Sequence, residues 1–312
     1  MARYLVIGGC GFIGSHLCDA LVAAGHRVLI LDNLSTGRAL NKNRKAELIV
    51  GDLADEKILN RTMRHVDGCF QLAAVASIER CHNDWIESHR VNMAGMVTIL
   101  NAARRMRERK HLVPVVYASS AAVYGNSDRL PLKETAEPKP ISAYGVDKLG
   151  CELHAGIAGR IFGVPTVGLR FFNVYGPRQN FASPYSGVIA IFCDRLRRSQ
   201  AVTIFGDGKQ GRDFVFVDDA VRAMVSAMKI AATSAPIFNV CSGRPANILG
   251  LAKTIAQICK VPLKVEFGPA RPGDIRRSLG SAAKIRKALQ WSAACSLQEG
   301  LRRTLDAVQL LG

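Results

Sequence analysis

The sequence predicts an α/β protein in which a doubly wound parallel sheet carries a smaller C-terminal lobe. Three observations lead there. Short β-rich runs alternate with stretches of helical spacing from the first residues to about residue 171. A glycine-rich turn, Gly8-Gly9-Cys10-Gly11-Phe12-Ile13-Gly14, joins the first run to the first helical stretch. Beyond about residue 175 the elements shorten and are punctuated by Gly176-Pro177, Ser183-Pro184, Gly206–Gly208 and Arg271–Gly273. Residues 1–175 are therefore assigned to the sheet domain and residues 176–312 to the lobe, with some of its segments returning to the sheet.

The elements follow in order. Tyr4–Gly8 reads as a strand. Phe12–Ala24 has helical spacing through Ile13, Leu17 and Leu21 and stops at Gly25. Val28–Leu31, Leu48–Val50 and Gly68–Leu72 read as the next three strands. One long helical stretch covers roughly Asp84–Arg107, and Val113–Ser119 is a fifth strand. Asn126–Pro140 holds three prolines and reads as a loop; Tyr144–Phe162 is a helix and Thr166–Phe171 a sixth strand.

Composition narrows the class. Hydrophobic residues make up 48% and charged residues 21%, which is a globular balance. No apolar run is long enough for a transmembrane helix, and MARYLVIGG lacks the charged and apolar regions of a signal peptide. The nine cysteines form no Cys-x-x-Cys pair, so buried thiols in a cytoplasmic protein are expected, with no metal site. The net charge is +17. Residues 1–156 carry 20 basic and 16 acidic side chains, residues 157–312 carry 22 and 9. An acidic partner is implied, which charge alone leaves open among nucleic acid, an anionic membrane and a phosphorylated metabolite.

The glycine turn points to the metabolite. Gly8 and Gly11 permit a tight turn with close backbone approach, Gly14 lets the helix pack on the strand, and the helix N-terminus then faces a pyrophosphate. Asp32 ends the second strand 18 residues after Gly14. A carboxylate there accepts from both ribose hydroxyls and repels a 2′-phosphate, which favours NAD over NADP. Asp52 follows the third strand and is either a turn residue or a contact to the adenine edge. Ala73 and Ala74 end the fourth strand, where small side chains let a ribose and nicotinamide lie against the backbone.

Tyr144-Gly145-Val146-Asp147-Lys148 places Tyr and Lys on one helix face. A free tyrosine loses its proton only near pH 10, so a tyrosine base needs positive charge beside it. Most such pairs are solvated helix surface. Here Ser119-Ser120 ends a strand, with Ser120 lying 24 residues before Tyr144. Ser120 suits a proton relay between a substrate hydroxyl and Tyr144, although either serine could instead cap the next turn.

With these motifs the chain resembles the extended short-chain dehydrogenase/reductases, in the NAD-dependent nucleotide-sugar epimerase/dehydratase family. The resemblance runs over Gly8–His16, Asp32–Gly37, Ser119–Gly125, Tyr144/Lys148, Arg170–Arg178 and Arg271–Ser278. Gln71 departs from it, since many members have His there. The resemblance implies a Rossmann-type sheet with bound NAD. It implies further cofactor contacts from Phe12, Ile13, Asn33, Ser35, Thr36, Gly37, Leu53, Ala76 and Ser119. Its chemistry is removal of the sugar O4 proton by Tyr144, hydride transfer from C4 to NAD, turning of the 4-keto sugar and hydride return to the other face. Dehydratases carry Thr-Asp-Glu after the strand and decarboxylases a Glu; Ala121-Ala122 here argues against both.

At the substrate end the resemblance implies a UDP-sugar. Asn173 would bind the diphosphate, Ala182–Ile189 with Gly187 and Val188 would cover the base, and Thr203, Ile204 and Phe205 would contact uracil. Arg212 and Arg271 would clamp phosphates, a geometry that suits guanidinium groups, with Asp274 beside them. Arg197, Arg198, Arg302 and Arg303 read as solvated surface. Ser278 matches the gate that a bulky Tyr would close to N-acetyl groups, and Ser77 resembles members that prefer N-acetylated sugars. The expected activity is 4-epimerisation of UDP-N-acetylglucosamine and UDP-N-acetylgalactosamine, extending to UDP-glucose and UDP-galactose. A UDP-uronate epimerase, with Arg178 or Ser77 at the C6 carboxylate, is the alternative. A non-catalytic RNA-binding or regulatory relative is the alternative from another class; it would have no reason to keep Ser120, Tyr144 and Lys148 together. A homodimer through the 84–107 and Tyr144 helices is expected, with no nucleic-acid or membrane partner.

Overall fold

The computed structural model describes residues 1–181, 187–270 and 275–309. The chain opens with β1 (Arg3–Ile7), α1 (Phe12–Ala23), β2 (Arg27–Asp32), β3 (Glu47–Val50), α2 (Glu56–Met63) and β4 (Gly68–Gln71). It continues through α3 (Ile78–Asn83), α4 (Trp85–His89), α5 (Gly95–Glu108), β5 (Val115–Ser120), α6 (Ala143–Phe162) and β6 (Thr166–Phe171). The second half adds β7 (Asn173–Tyr175), α7 (Val188–Arg197), β8 (Val202–Phe205), β9 (Gly211–Phe216), α8 (Val217–Met228) and β10 (Ile237–Val240). Then come β11 (Pro245–Asn247), α9 (Ile248–Cys259), β12 (Val265–Gly268), β13 (Arg277–Ser278), α10 (Ala283–Leu289) and α11 (Leu297–Gln309).

Seven strands form one sheet in the order β10-β6-β5-β4-β1-β2-β3, and every neighbouring pair is parallel. This is the doubly wound, Rossmann-type sheet expected. Both faces are covered. Val6, Ile30, Phe70 and Val116 join one core with Leu17 of α1 and Met224 of α8. Leu5, Ile7, Leu29 and Leu31 join the other with Leu59 of α2 and Ile99 of α5. Strands covered on both sides carry near-continuous apolar runs, which is why they were legible. The strand order reverses between β1 and β4, and a crevice for a ligand opens there, at the carboxyl ends of the strands.

The lobe is built on β11-β9-β13, with β7 pairing β9, and a separate parallel pair β12-β8. It is not a contiguous tail, because β10 and α8 return to the main sheet and its core. The stretch read as one long helix is three pieces. α4 ends at His89, a π-helical turn spans Arg90–Ala94, and α5 follows. That turn brings buried Asn92 inward, where its amide accepts from Val75 N–H (2.8 Å) and donates to Val75 C=O (3.1 Å). All nine cysteines are free and seven are buried. Among the described residues no helix is long and apolar enough to cross a membrane, and no His/Cys/Asp/Glu cluster could hold a metal ion.

Candidate active site

The glycine turn sits at the reversal point. Gly8 has a φ of 80°, and a Cβ on it would lie 2.6 Å from the main-chain N of Ala73. A Cβ on Gly14 would lie 2.1 Å from the Gly8 carbonyl oxygen. Any side chain at either place would push the turn off β4 or α1 off the turn. α1 starts behind Gly11 with no side-chain cap and no acidic residue in its first turn. Its leading N–H groups, from Phe12 and Ile13 onward, are left for an anion.

Asp32 closes β2 and is 8% exposed. Its Oδ2 accepts from Cys10 N–H (2.9 Å) and its Oδ1 from Leu34 N–H (2.8 Å), tying the glycine turn to the 33–37 loop. A carboxylate has about four acceptor positions, so two remain for a pair of ribose hydroxyls. Gly37 packs so closely that a Cβ would meet both Asp32 oxygens at 2.9 Å. Asn33, Ser35 and Thr36 line the exposed rim, where the Asn33 side chain accepts from Ser35 N–H. This cradle fits NAD, with Gly8, Gly11, Gly14 and Asp32 as its holding residues.

Other expected cofactor residues are placed less simply. Asp52 accepts from both Arg90 guanidinium nitrogens (3.2 and 2.8 Å) and from Ala54 N–H, so it is at once a turn residue and an ion-pair partner. The Arg90 hydrogen bonds hold its carboxyl below the ordinary range. About one acceptor position is left for an adenine edge. Arg90, bridged also to Glu87, was not foreseen. The Leu53 side chain is 5% exposed and seated against Gly95, so a contact to the cofactor from this residue would come from its main chain. Ala73 and Ala74 lie beside the glycine turn, and Ala76 is exposed beyond them. Gln71, in place of a family His, is buried and clamps Ala73 through both its main-chain N–H and C=O.

The catalytic candidates converge from β5 and α6. Lys148 is 4% exposed; its ammonium donates to the Ala118 carbonyl (2.9 Å) and lies 5.6 Å from the centre of the Tyr144 ring. Tyr144 itself is half-buried in the first turn of α6, a helix capped by Ser142. Ser120 Oγ accepts from Ala122 N–H (3.1 Å), capping the next turn as the alternative reading allowed, yet its hydroxyl proton remains free to donate. The two serines face opposite ways, as successive strand residues do. Ser119 is 2% exposed and donates to Glu152, so its hydroxyl is engaged inside the fold, and a contact from it to the cofactor would come from its main chain. Asp147 also turns away, buried against His89 Nδ1 at 2.7 Å.

Three substrate candidates meet on the lobe sheet. Asn173 begins β7 and donates to the Asp213 carbonyl (3.1 Å). Arg212 stands in register with Ser278 across the β9–β13 pair, and its guanidinium donates to the Ile275 carbonyl. Asp213 was missed by sequence reasoning. It is fully buried, and its carboxylate accepts from Ser242 N–H, Ser242 O–H, Gly243 N–H and Gly280 N–H. Burial pushes its carboxyl up while the Ser242 and glycine donors pull it back.

Thr203 and Phe205 are half-buried, and Ile204 is 1% exposed with its side chain in the core, so a contact from Ile204 to a base would come from its main chain. Ser77 caps α3 by accepting from Arg80 N–H, and Arg178 pairs with Asp19 on α1 (2.7 Å). Each bond uses part of its side chain: the Ser77 hydroxyl proton is left to donate, and one buried Arg178 nitrogen has no hydrogen-bond partner. Gly187 is the residue before α7 and Val188 its first. Residues 182–186, Arg271 and Asp274 lie outside the described residues.

Residues 4–241 match the NAD dependent epimerase/dehydratase family. The chain is 36% identical over 313 residues to a UDP-glucose 4-epimerase from Mycolicibacterium smegmatis, with 97% of each protein covered. Among solved structures it is similar to the UDP-glucose 4-epimerase of Thermotoga maritima with UDP-glucose, at 34% identity, 99% coverage of both chains and a TM-score of 0.93. It is also similar to the UDP-N-acetylglucosamine 4-epimerase of Methanobrevibacter ruminantium in complex with UDP-N-acetylmuramic acid, at 31% identity, 100% and 99% coverage and a TM-score of 0.93.

Proposed function

The chain belongs to the NAD dependent epimerase/dehydratase family, and within it we propose an NAD-dependent 4-epimerase of UDP-hexoses. Its substrates under this reading are UDP-N-acetylglucosamine and UDP-N-acetylgalactosamine, with UDP-glucose and UDP-galactose also accepted. One observation carries the reaction type. Ser120, Tyr144 and Lys148 bring two hydroxyls and an ammonium to one strand end, and Ala121-Ala122 supply no carboxylic acid beside them.

NAD, when bound, supplies the hydride acceptor and donor for sugar C4. The chain's own residues handle the proton and the pose. Tyr144 takes the O4 proton and returns it. Ser120, with its hydroxyl proton free, bridges O4 and the Tyr144 oxygen. Lys148 keeps a fixed positive charge beside the phenol ring. Inversion requires the sugar to present either face to C4 chemistry while its nucleotide stays put. Asn173 and Arg212 suit that anchoring role, with Arg271 and Asp274 proposed to join them.

Ser278 supports the N-acetyl preference, because a small side chain beside Arg212 leaves room that a Tyr would fill. The decisive assay incubates the purified protein with a panel of UDP-sugars. Interconversion of the gluco and galacto forms is expected; turnover of none of them excludes the reading. A homodimer is proposed as well. Trp85 and Ile86 on α4 and Leu153, Ile157 and Ile161 on α6 are exposed apolar residues, the last three at four-residue spacing. Light scattering is expected to give the dimer mass, and a clean monomer refutes it.

A further inference from the structure

We infer that the buried pair Glu152–Arg170 is a positioning device that sets the distance between Ser120 on β5 and the Tyr144/Lys148 face of α6. The inference rests on the reaction proposed above. Tyr144, Lys148 and Glu152 follow one another at four-residue spacing, so they share one helix face. Two bonds join that face to β5: Lys148 to the Ala118 carbonyl, and the Glu152 carboxylate to the Ser119 hydroxyl. Ser119 stands in register with Arg170 on β6. Arg170 closes its fork on the same carboxylate, from Nε at 2.8 Å and Nη2 at 2.7 Å. Beyond it, the guanidinium lies 4.7 Å over the ring of Tyr124, whose hydroxyl donates to Asn239. One ion pair therefore grips the strand just before Ser120 and the turn just after it.

Stability does not explain this arrangement. The side chains are 4% and 3% exposed, and removing both charges from water costs several kcal/mol per ion. Apolar residues of similar volume commonly replace such pairs without loss of stability. They cannot reproduce three directional bonds converging on one carboxylate, and a misplacement of about 1 Å at reacting groups costs on the order of 10²-fold in rate.

The test uses the full chain with its bound cofactor. In the double variant Glu152→Met with Arg170→Met, kcat is expected to fall on the order of 10²-fold. KM, cofactor content and thermal midpoint are expected to stay close to wild type. Arg170→Lys keeps the charge but loses the fork, and its kcat is expected to lie between the two. Ser119→Ala gives a smaller fall of the same kind, and these two single variants carry the test if the double variant does not fold. Unchanged kcat overturns the inference. So does a fall that merely tracks lost cofactor or a lowered midpoint, which is the signature of a structural role. Wild-type protein inert towards every UDP-sugar would count against the reaction and not the pair. A crystal structure of the double variant then decides: α6 left in place, with the Lys148–Ala118 bond kept, overturns the positioning role.

Discussion

The two halves of the site are held together in different ways. Around β5 and α6 the candidate catalytic side chains are set by near neighbours: a strand end, a helix turn, and an ion pair one turn below. In the lobe, Asn173, Arg212 and Ser278 sit on short strands joined across long stretches of sequence, and the knot is Asp213. Under the proposed reaction the difference separates chemistry from selectivity. Proton transfer needs sub-ångström constancy, and it would fall to residues on the main sheet. Recognition of a long substrate needs reach, and it would fall to a lobe whose geometry hangs on a few buried bonds. The excess of basic side chains lies in the second half of the chain, a placement that agrees with a substrate lobe there, although most of it is surface charge with no assigned role.

Substitutions in each half should fail differently. The largest effect is expected for Tyr144→Phe, which removes the proton carrier. Steady-state assays should show kcat down by about 10²–10⁴-fold while bound NAD persists. Asp213→Ala comes next, and it should fail through the fold of the lobe. It strips the acceptor from the N–H groups of Ser242, Gly243 and Gly280; only the Gly280 bond is buried, at about 1–3 kcal/mol for that donor left unpaired. Denaturant titration should register that loss, and KM should rise more than kcat falls. If kcat falls alone, the division between the halves is wrong. Ser278→Tyr sharpens the comparison further: N-acetylhexosamine turnover should drop by about 10–200-fold relative to UDP-galactose, and equal loss of both would remove the gate role.

The smallest effect lies at Asp52. Arg90→Met breaks two ion pairs, to Asp52 and to Glu87, both more than a third exposed and each expected to be worth about 0.2–1 kcal/mol. The sign with pH is definite. Asp52 is held below its ordinary range by Arg90, so the pair stabilises above the unfolded aspartate value, near pH 4. That contribution is lost as pH falls through the depressed value. Thermal midpoints of wild type and Arg90→Met should therefore differ at neutral pH and converge in acid.

Much of this was legible in the sequence. All six strands read up to residue 171 are present; those covered on both faces advertise themselves as apolar runs, and the half-exposed edge strand β3 still carries Leu48, Ile49 and Val50. The glycine turn, Asp32, Ser120, Tyr144 and Lys148 stand out in the sequence by their spacing along the chain. Glu152, Asn92 and Asp213 were not. Each is a polar residue inside an element, and along the chain it looks like a solvated face; only tertiary packing reveals it as buried. Arg170 did leave a signal. A lone cation in Thr166-Val167-Gly168-Leu169-Arg170-Phe171 needs a buried partner, since such strands have no wet side. The choice between Ser119 and Ser120 needed the phase of β5, and the buried side chains of Leu53 and Ile204 needed the core around them.

The π-helical turn at Arg90–Ala94 acts as a phase shifter. A helical residue advances about 100° around its axis, so one extra residue turns everything downstream by that amount. Met96, Ile99, Ala103 and Met106 of α5 face the core only because of that offset. Deleting one residue from 90–94 would make a more regular helix with its apolar side rotated into water. The locally better helix would be the globally worse protein, so the length of this segment is as much a part of the design as any side chain in it.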